Sequence, residues 1–144
     1  MNTVLASIVC LVFLALALWH VRMAFDSRHG SSESGAVPTA GGKPLFVPSR
    51  KATLAVAVVL VLFAGLVAAT AGLVALGLPP VVLTWFSYAL ALGLLARAVG
   101  EFRYVGFFKR VRGSRFATLD TFVYSPLCLL LAAGVAAVAM RHGA

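Results

Sequence analysis

Four long apolar segments, separated by polar connections, set the pattern of the chain. They are residues 3–21, 52–77, 81–98 and 121–140. Each is close to the 20 or so apolar residues that a helix needs to cross roughly 30 Å of hydrocarbon. The stretch from Ala52 to Ala96 contains no charged residue, and Pro79 and Pro80 divide it into two helices because proline ends a helix. The pattern predicts an all-α integral membrane fold, a four-transmembrane-helix bundle that forms a single domain over 1–144.

Charged residues lie almost entirely in two of the connections. Of the twelve Lys and Arg residues, five lie in or beside loop 22–51, six lie around loop 99–120, and Arg141 follows the last segment. Basic residues of short loops remain on the cytoplasmic side, so both loops are predicted to be cytoplasmic and both termini to lie outside. This orientation accounts for the net charge of +8 without a nucleic-acid partner.

Composition supports the same class of protein. The chain is 62% hydrophobic and 11% charged, whereas a soluble domain carries about 25% charged residues. Cys10 and Cys128 lie singly within apolar segments, which argues against a zinc site or a disulfide framework and favours apolar packing. No metal, cofactor or catalytic residue is predicted.

Loop 99–120 contains the densest run of aromatic and basic residues, EFRYVGFFKRVRGSRFATLD. Helical spacing would place Tyr104, Phe107 and Phe108 on one apolar stripe, which predicts an amphipathic cytoplasmic extension after the third span, over 101–112. The basic side chains either only hold the loop inside or contact anionic headgroups or a protein partner. The residues predicted for this contact are Arg103, Lys109, Arg110, Arg112 and Arg115.

A second group of polar side chains falls at the cytoplasmic ends of three spans. The group consists of His20, Arg97, Glu101, Asp120 and Tyr124. An ionisable group beside hydrocarbon costs several kcal/mol unless it has a partner or water, so these residues are predicted to converge in a polar pocket. Arg97 and Glu101 are four residues apart and share a helix face. The pocket would bind a polar headgroup, relay a proton through His20, or simply join the helix ends.

Three stretches carry a resemblance to a known family: GGKPLFVPSRKATLAVAVVL, RAVGEFRYVGFFKRVRGSRFATLD and the TFVYSPLCLLL that follows it. They resemble small bacterial four-span membrane proteins grouped as a domain of unknown function. The resemblance implies a bacterial inner-membrane location and the four-span fold, and it implies no activity.

These observations favour a non-enzymatic binding, transport or accessory module, with anionic membrane lipids as partners. A second copy of the chain or another membrane protein is a further possible partner, because small residues such as Ala64 and Ala68 permit close helix packing. The alternative is a membrane-embedded enzyme acting on a lipid-like substrate, with Glu101 or Asp120 as acid or base. That alternative rests only on the shared depth of the polar residues, because no nucleophile lies beside a base in the sequence.

Overall fold

The computed structural model describes residues 2–25, 37–38, 44–46, 49–100, 106–110 and 118–142. Its helices are α1 (Asn2–Phe25), α2 (Arg50–Thr70), α3 (Pro80–Val99) and α4 (Ser125–His142). A π-helical turn, Asp120–Tyr124, leads directly into α4, and two short antiparallel strands, β1 (Val37–Pro38) and β2 (Pro44–Phe46), lie in the first connection. Within the described residues, four helices are long and apolar enough to cross a membrane, the last counted from Asp120, so the predicted four-helix architecture is confirmed.

The second helix ends at Thr70, not at the predicted Gly77. Gly72 adopts a φ of 74°, its N–H donates to Ala69 O, and the N–H of Leu73 donates to Ala68 O. These two bonds form a Schellman motif, in which a left-handed glycine satisfies the last carbonyls of a helix. Glycine therefore stops α2 well before the two prolines, and Pro80 begins α3 at a position where its missing N–H costs nothing.

The core forms where the helices pack as two pairs, α1 on α2 and α3 on α4. Phe13 of α1 is fully buried and meets Phe63 of α2 edge to face, with ring centroids 5.9 Å apart. A Cβ on Gly134 of α4 would lie 2.8 Å from Val9 Cγ2 of α1, so the two helices approach closely at this glycine. Buried residues of all four helices contribute to the core, among them Ala6, Val67, Leu90, Leu131 and Val135.

Contacts between the helices show which of their ends lie together. The guanidinium carbon of Arg50, at the start of α2, lies 4.2 Å from the centre of the Phe25 ring at the end of α1. Thr70, the last residue of α2, shares a side-chain hydrogen bond of 2.8 Å with Ser87 in the first half of α3, so these ends meet at the opposite end of the bundle. The end of α1, the start of α2, the end of α3 and the π-helical turn therefore share one end of the bundle.

The connection between α3 and α4 differs from the predicted amphipathic helix. Residues 106–110, in the middle of the predicted extension, form a turn. Gly100 has a φ of 84° and Gly106 a φ of 93°, and a helix cannot continue through such residues. The predicted helix is thus wrong at 106–110, and its remaining residues, 101–105 and 111–112, lie outside the described residues.

Candidate functional site

A buried carboxylate, Asp120, accepts hydrogen bonds from two stretches of chain where α3 ends and α4 begins. Its Oδ1 accepts a hydrogen bond of 2.9 Å from Arg97 Nη2. Its Oδ2 accepts bonds of 3.0 Å from Lys109 Nζ and 2.6 Å from the Gly106 backbone N–H. Asp120 is 0% exposed, and a buried charge is tolerated only when it is paired and hydrogen-bonded in this way. We call Arg97, Gly106, Lys109, Asp120 and Thr121 the Asp120 cluster.

Lys109 belongs to the interior of this cluster. Only 2% of the residue is exposed, and its ammonium also donates to Gly106 O at 3.0 Å and to the hydroxyl of Thr121. The sequence places Lys109 among the headgroup-contacting residues of an exposed loop. The structure corrects this placement, because the ammonium is directed into the protein and bonded there.

Glycine conformations bring the loop onto the end of α3. A Cβ at Gly106 would lie 2.3 Å from Val99 O and 2.5 Å from Gly100 Cα, so only glycine fits this contact. The N–H of Phe107 donates to Ala98 O at 3.0 Å, which satisfies one of the free carbonyls at the helix end. The same backbone segment thus caps α3 and presents the Gly106 N–H to Asp120.

The π-helical turn leaves a hydroxyl without a partner beside the cluster. The N–H of Ser125 donates to Asp120 O, five residues back, which is the π-helical pattern. Ser125 is 0% exposed, yet its Oγ has no hydrogen-bond partner. Arg97 Nη1 is likewise buried and unpartnered, although the Arg97 side chain as a whole is 38% exposed. The site therefore offers two unused donors, one on each side of the α3–α4 contact.

The structure joins two of the residues predicted for the polar pocket, Arg97 and Asp120. Tyr124 lies in the same π-helical turn and is 37% exposed. In the described part of the chain His20 makes one side-chain hydrogen bond, 2.7 Å between Nδ1 and Leu16 O of its own helix. This bond keeps the His20 ring on α1, near the end of the helix. Among the described residues, no hydrogen bond joins His20 to the Asp120 cluster.

The remaining residues predicted for the pocket and the headgroup contact lie mostly outside the described residues. Glu101, Arg103, Arg112 and Arg115 lie outside the described residues, whereas Arg110 is described and exposed. The described residues contain no group of three His, Cys, Asp or Glu side chains that could hold a metal ion. Cys10 and Cys128 are free thiols, and Cys10 Sγ donates to Ala64 O at 3.3 Å.

Sequence reasoning missed Gly106, Thr121 and Ser125 as parts of the site. Gly106 acts through its backbone N–H, which no side-chain pattern reveals. Thr121 and Ser125 lie one and five residues after Asp120, and neither spacing places them on the face of Asp120 in an α-helix. The π-helical turn that sets their positions has no signature in the sequence.

A family model described as "Protein of unknown function (DUF3995)" matches residues 13–135. The chain belongs to this family. This match confirms the resemblance to a family of unknown function. The matched residues of the chain, 13–135, include the whole Asp120 cluster. Neither the curated proteins nor the solved structures give a significant match.

Proposed function

We propose that the protein is a non-enzymatic membrane module that binds the headgroup of an anionic lipid at the inner end of its helix bundle. The observation that carries the proposal is Arg97. One guanidinium nitrogen holds Asp120, the other is buried without a partner, and 38% of the side chain is exposed. A guanidinium in this state can keep its structural bond and still donate a hydrogen bond to an anionic oxygen.

The energetics favour an anion at this position. A guanidinium presents five N–H donors, and an unmet donor close to hydrocarbon costs more than one exposed to water. Charge-assisted hydrogen bonds from arginine to phosphate are among the stronger polar contacts in proteins. Within the described residues, the two cations Arg97 and Lys109 face the single carboxylate of Asp120, which also favours an incoming negative charge.

Orientation and location form part of the proposal. The basic residues of loops 22–51 and 99–120 support a cytoplasmic position for the Asp120 cluster, with both termini outside. The bacterial inner membrane, which the sequence resemblance implies, has anionic lipids that basic residues near a span attract at about 1 kcal/mol per charge. Exposed Arg110 lies in the same loop segment as Lys109 and would add to this attraction.

Catalysis by Asp120 fits the geometry less well than binding does. A general base needs a free oxygen within reach of the proton that it removes. Both carboxylate oxygens of Asp120 are occupied by Arg97, Lys109 and the Gly106 backbone. Asp120 is therefore suited to hold Arg97 in place, and binding is the function that we propose.

The test compares lipid retention in nanodiscs of phosphatidylcholine, with and without phosphatidylglycerol, by native mass spectrometry. The wild-type chain is expected to retain phosphatidylglycerol in preference to phosphatidylcholine. Arg97→Lys keeps a positive charge for Asp120 but removes the second guanidinium nitrogen. Because a hydrogen bond to a charged group contributes about 1.5–3 kcal/mol, this variant should bind phosphatidylglycerol about tenfold more weakly or worse.

Arg50→Lys is the matched control, since Arg50 lies at the same end of the bundle and stacks on Phe25 away from the Asp120 cluster. Its affinity for phosphatidylglycerol should stay within about twofold of the wild type, the scale of an exposed single charge. Equal retention of the two lipids by the wild type, or equal losses in the two variants, would contradict the proposal.

A further inference from the structure

Two buried donors without partners lie at the same contact between α3 and the beginning of α4. In the part of the chain that the structure describes, three buried side-chain nitrogen or oxygen atoms lack a hydrogen bond: Arg97 Nη1, Ser125 Oγ and His142 Nε2. More than about 90% of buried polar groups in proteins are hydrogen-bonded, and an exception points to a missing water, ion or ligand. Two of the three exceptions adjoin Asp120.

Ser125 differs from three threonines in the helices of the bundle. The hydroxyls of Thr53, Thr70 and Thr84 each donate to the carbonyl four residues back, at distances of 2.9–3.2 Å. This is the usual solution for a hydroxyl within a helix. Ser125 follows the π-helical turn, where the backbone spacing is wider, and its Oγ makes no such bond. Its hydroxyl is therefore left available, and π-helical turns occur frequently at functional sites.

The unpartnered hydroxyl and the guanidinium lie against the same part of α4. The backbone N–H of Ser125 donates to the backbone oxygen of Asp120, so the two residues are joined across the π-helical turn. Arg97 of α3 binds the side chain of the same Asp120, which lies five residues before Ser125. The free nitrogen and the free hydroxyl thus belong to one locality at the α3–α4 contact.

We propose that Arg97 Nη1 and Ser125 Oγ are the two donors of a subsite for one oxyanion, the phosphate of a bound ligand. This inference rests on the proposed function and specifies its chemistry. Arg97 supplies a charged donor from α3, and Ser125 supplies a neutral donor from the start of α4. Because Ser125 is 0% exposed, an oxygen that reaches it lies inside the protein and is held apart from the headgroups around it. The phosphate comes either from a lipid headgroup or from free inorganic phosphate.

The test pairs two serines that are almost equally buried, Ser125 at 0% and Ser87 at 1% exposure. Ser125→Ala removes only the unpartnered hydroxyl and should lower the affinity for phosphatidylglycerol in nanodiscs about three- to tenfold. Ser87→Ala breaks the 2.8 Å bond to Thr70 Oγ1 and should lower the melting temperature while leaving the affinity unchanged. Ser125→Ala should melt no lower than the wild type in phosphatidylcholine alone, which shows that its loss of binding is not a folding defect.

The outcomes separate the subsite from the proposed function. If Arg97→Lys weakens phosphatidylglycerol binding and Ser125→Ala does not, the subsite is overturned and the lipid-binding function remains. If the wild type does not prefer phosphatidylglycerol but inorganic phosphate raises its melting temperature in phosphatidylcholine discs, and Ser125→Ala abolishes that increase, the subsite takes free phosphate and the lipid function is overturned. If neither probe distinguishes wild type from Ser125→Ala, the subsite is overturned.

Discussion

At the scale of single residues, Asp120 organises the end of the bundle where α3 ends and α4 begins. Its two oxygens bind two side chains and one backbone N–H that come from α3 and from the connection after it. A buried ion pair contributes little net stability, because desolvation offsets the attraction between the charges. It does fix geometry, since Arg97 and Lys109 have few other positions in which their charges are satisfied. The cluster is therefore best understood as a device that positions the Arg97 guanidinium and the loop that carries Gly106.

An alanine substitution is expected to destabilise the protein more at Gly106 than at Gly72 or Gly93. Gly106→Ala combines a φ of 93° with a Cβ 2.3 Å from Val99 O, and backbone atoms cannot move aside as a flexible side chain can. We expect a loss of about 3 kcal/mol or more in the free energy of unfolding, since a positive φ alone costs about 1–2 kcal/mol. Titration with SDS in mixed micelles measures this quantity.

Two further alanine variants are controls for Gly106→Ala. Gly72 has a φ of 74° and open space around its Cβ position, so Gly72→Ala should show the cost of the φ angle alone, about 1 kcal/mol. Gly93 lies within α3 with open space and no φ in the left-handed range, so Gly93→Ala should be neutral or slightly stabilising. A Gly106→Ala variant as stable as Gly72→Ala would show that the close backbone contact is unimportant.

Sequence reasoning at the residue scale found part of the site. Arg97 and Asp120 were both identifiable because an ionisable residue at a span end needs a partner. The sequence offered Glu101 as the nearer partner of Arg97, whereas the described bond is to Asp120 across the helix pair. The burial of Lys109 depends on how the loop folds back, and a helical stripe could not reveal a turn at Gly106. Spacing along one helix cannot predict the contacts that the connection between α3 and α4 makes with Asp120.

At the scale of helices, the sequence predicts that each helix exists more reliably than it predicts the residue at which the helix ends. The four apolar segments correspond to the four long helices because composition alone decides whether a segment can cross a membrane. Pro79 and Pro80 predict that α2 continues to Gly77. The helix ends earlier, at Thr70, because the turn at Gly72 closes it with two backbone hydrogen bonds. The π-helical turn before α4 depends on packing around Asp120. The Gly72 stop is a matter of local backbone conformation, so a hydropathy pattern predicts neither it nor the π-helical turn.

The contact between α1 and α4 gives a prediction at this scale. Gly134→Ala would place a Cβ 2.8 Å from Val9 Cγ2, and valine has little rotamer freedom within a helix. We expect the free energy of unfolding to fall by about 1–2 kcal/mol, as overpacking of a close contact does.

Val9→Ala removes the opposing methyl groups, so the double variant should recover part of the loss. The two substitutions should then be non-additive by at least about 0.5 kcal/mol, measured by SDS titration of the single and double variants. Additive effects would show that α1 and α4 do not meet closely at these two residues.

At the scale of the whole molecule, the charge distribution predicts orientation. Loops 22–51 and 99–120 hold nearly all of the basic residues, and the structure places the helix ends next to these loops at one end of the bundle. A bundle with its basic residues on one side favours a single orientation over an equal mixture. The arrangement of helices and the sidedness of charge thus support one topology, which we propose as both termini outside.

Thiol labelling tests this topology. In a Cys10→Ala, Cys128→Ala background, Ala75→Cys lies in the exposed segment between α2 and α3, and Arg110→Cys lies exposed in the connection after α3. A membrane-impermeant maleimide added to intact spheroplasts should label Ala75→Cys and should leave Arg110→Cys unlabelled until the membrane is permeabilised. Labelling in the opposite order would reverse the topology, and equal labelling of both would indicate a mixture.

The ion pair between α3 and α4 has a consequence for how the chain enters the membrane. Arg97 lies at the end of α3, and Asp120 begins the last span, so each helix carries one member of the pair. Before the two helices meet, both charges lie at the edge of the hydrocarbon without their partner, which costs several kcal/mol. Biogenesis should therefore favour release of α3 and α4 from the insertion machinery as a closed hairpin. We therefore expect the Arg97–Asp120 pair to stabilise this hairpin during assembly before it serves the finished site.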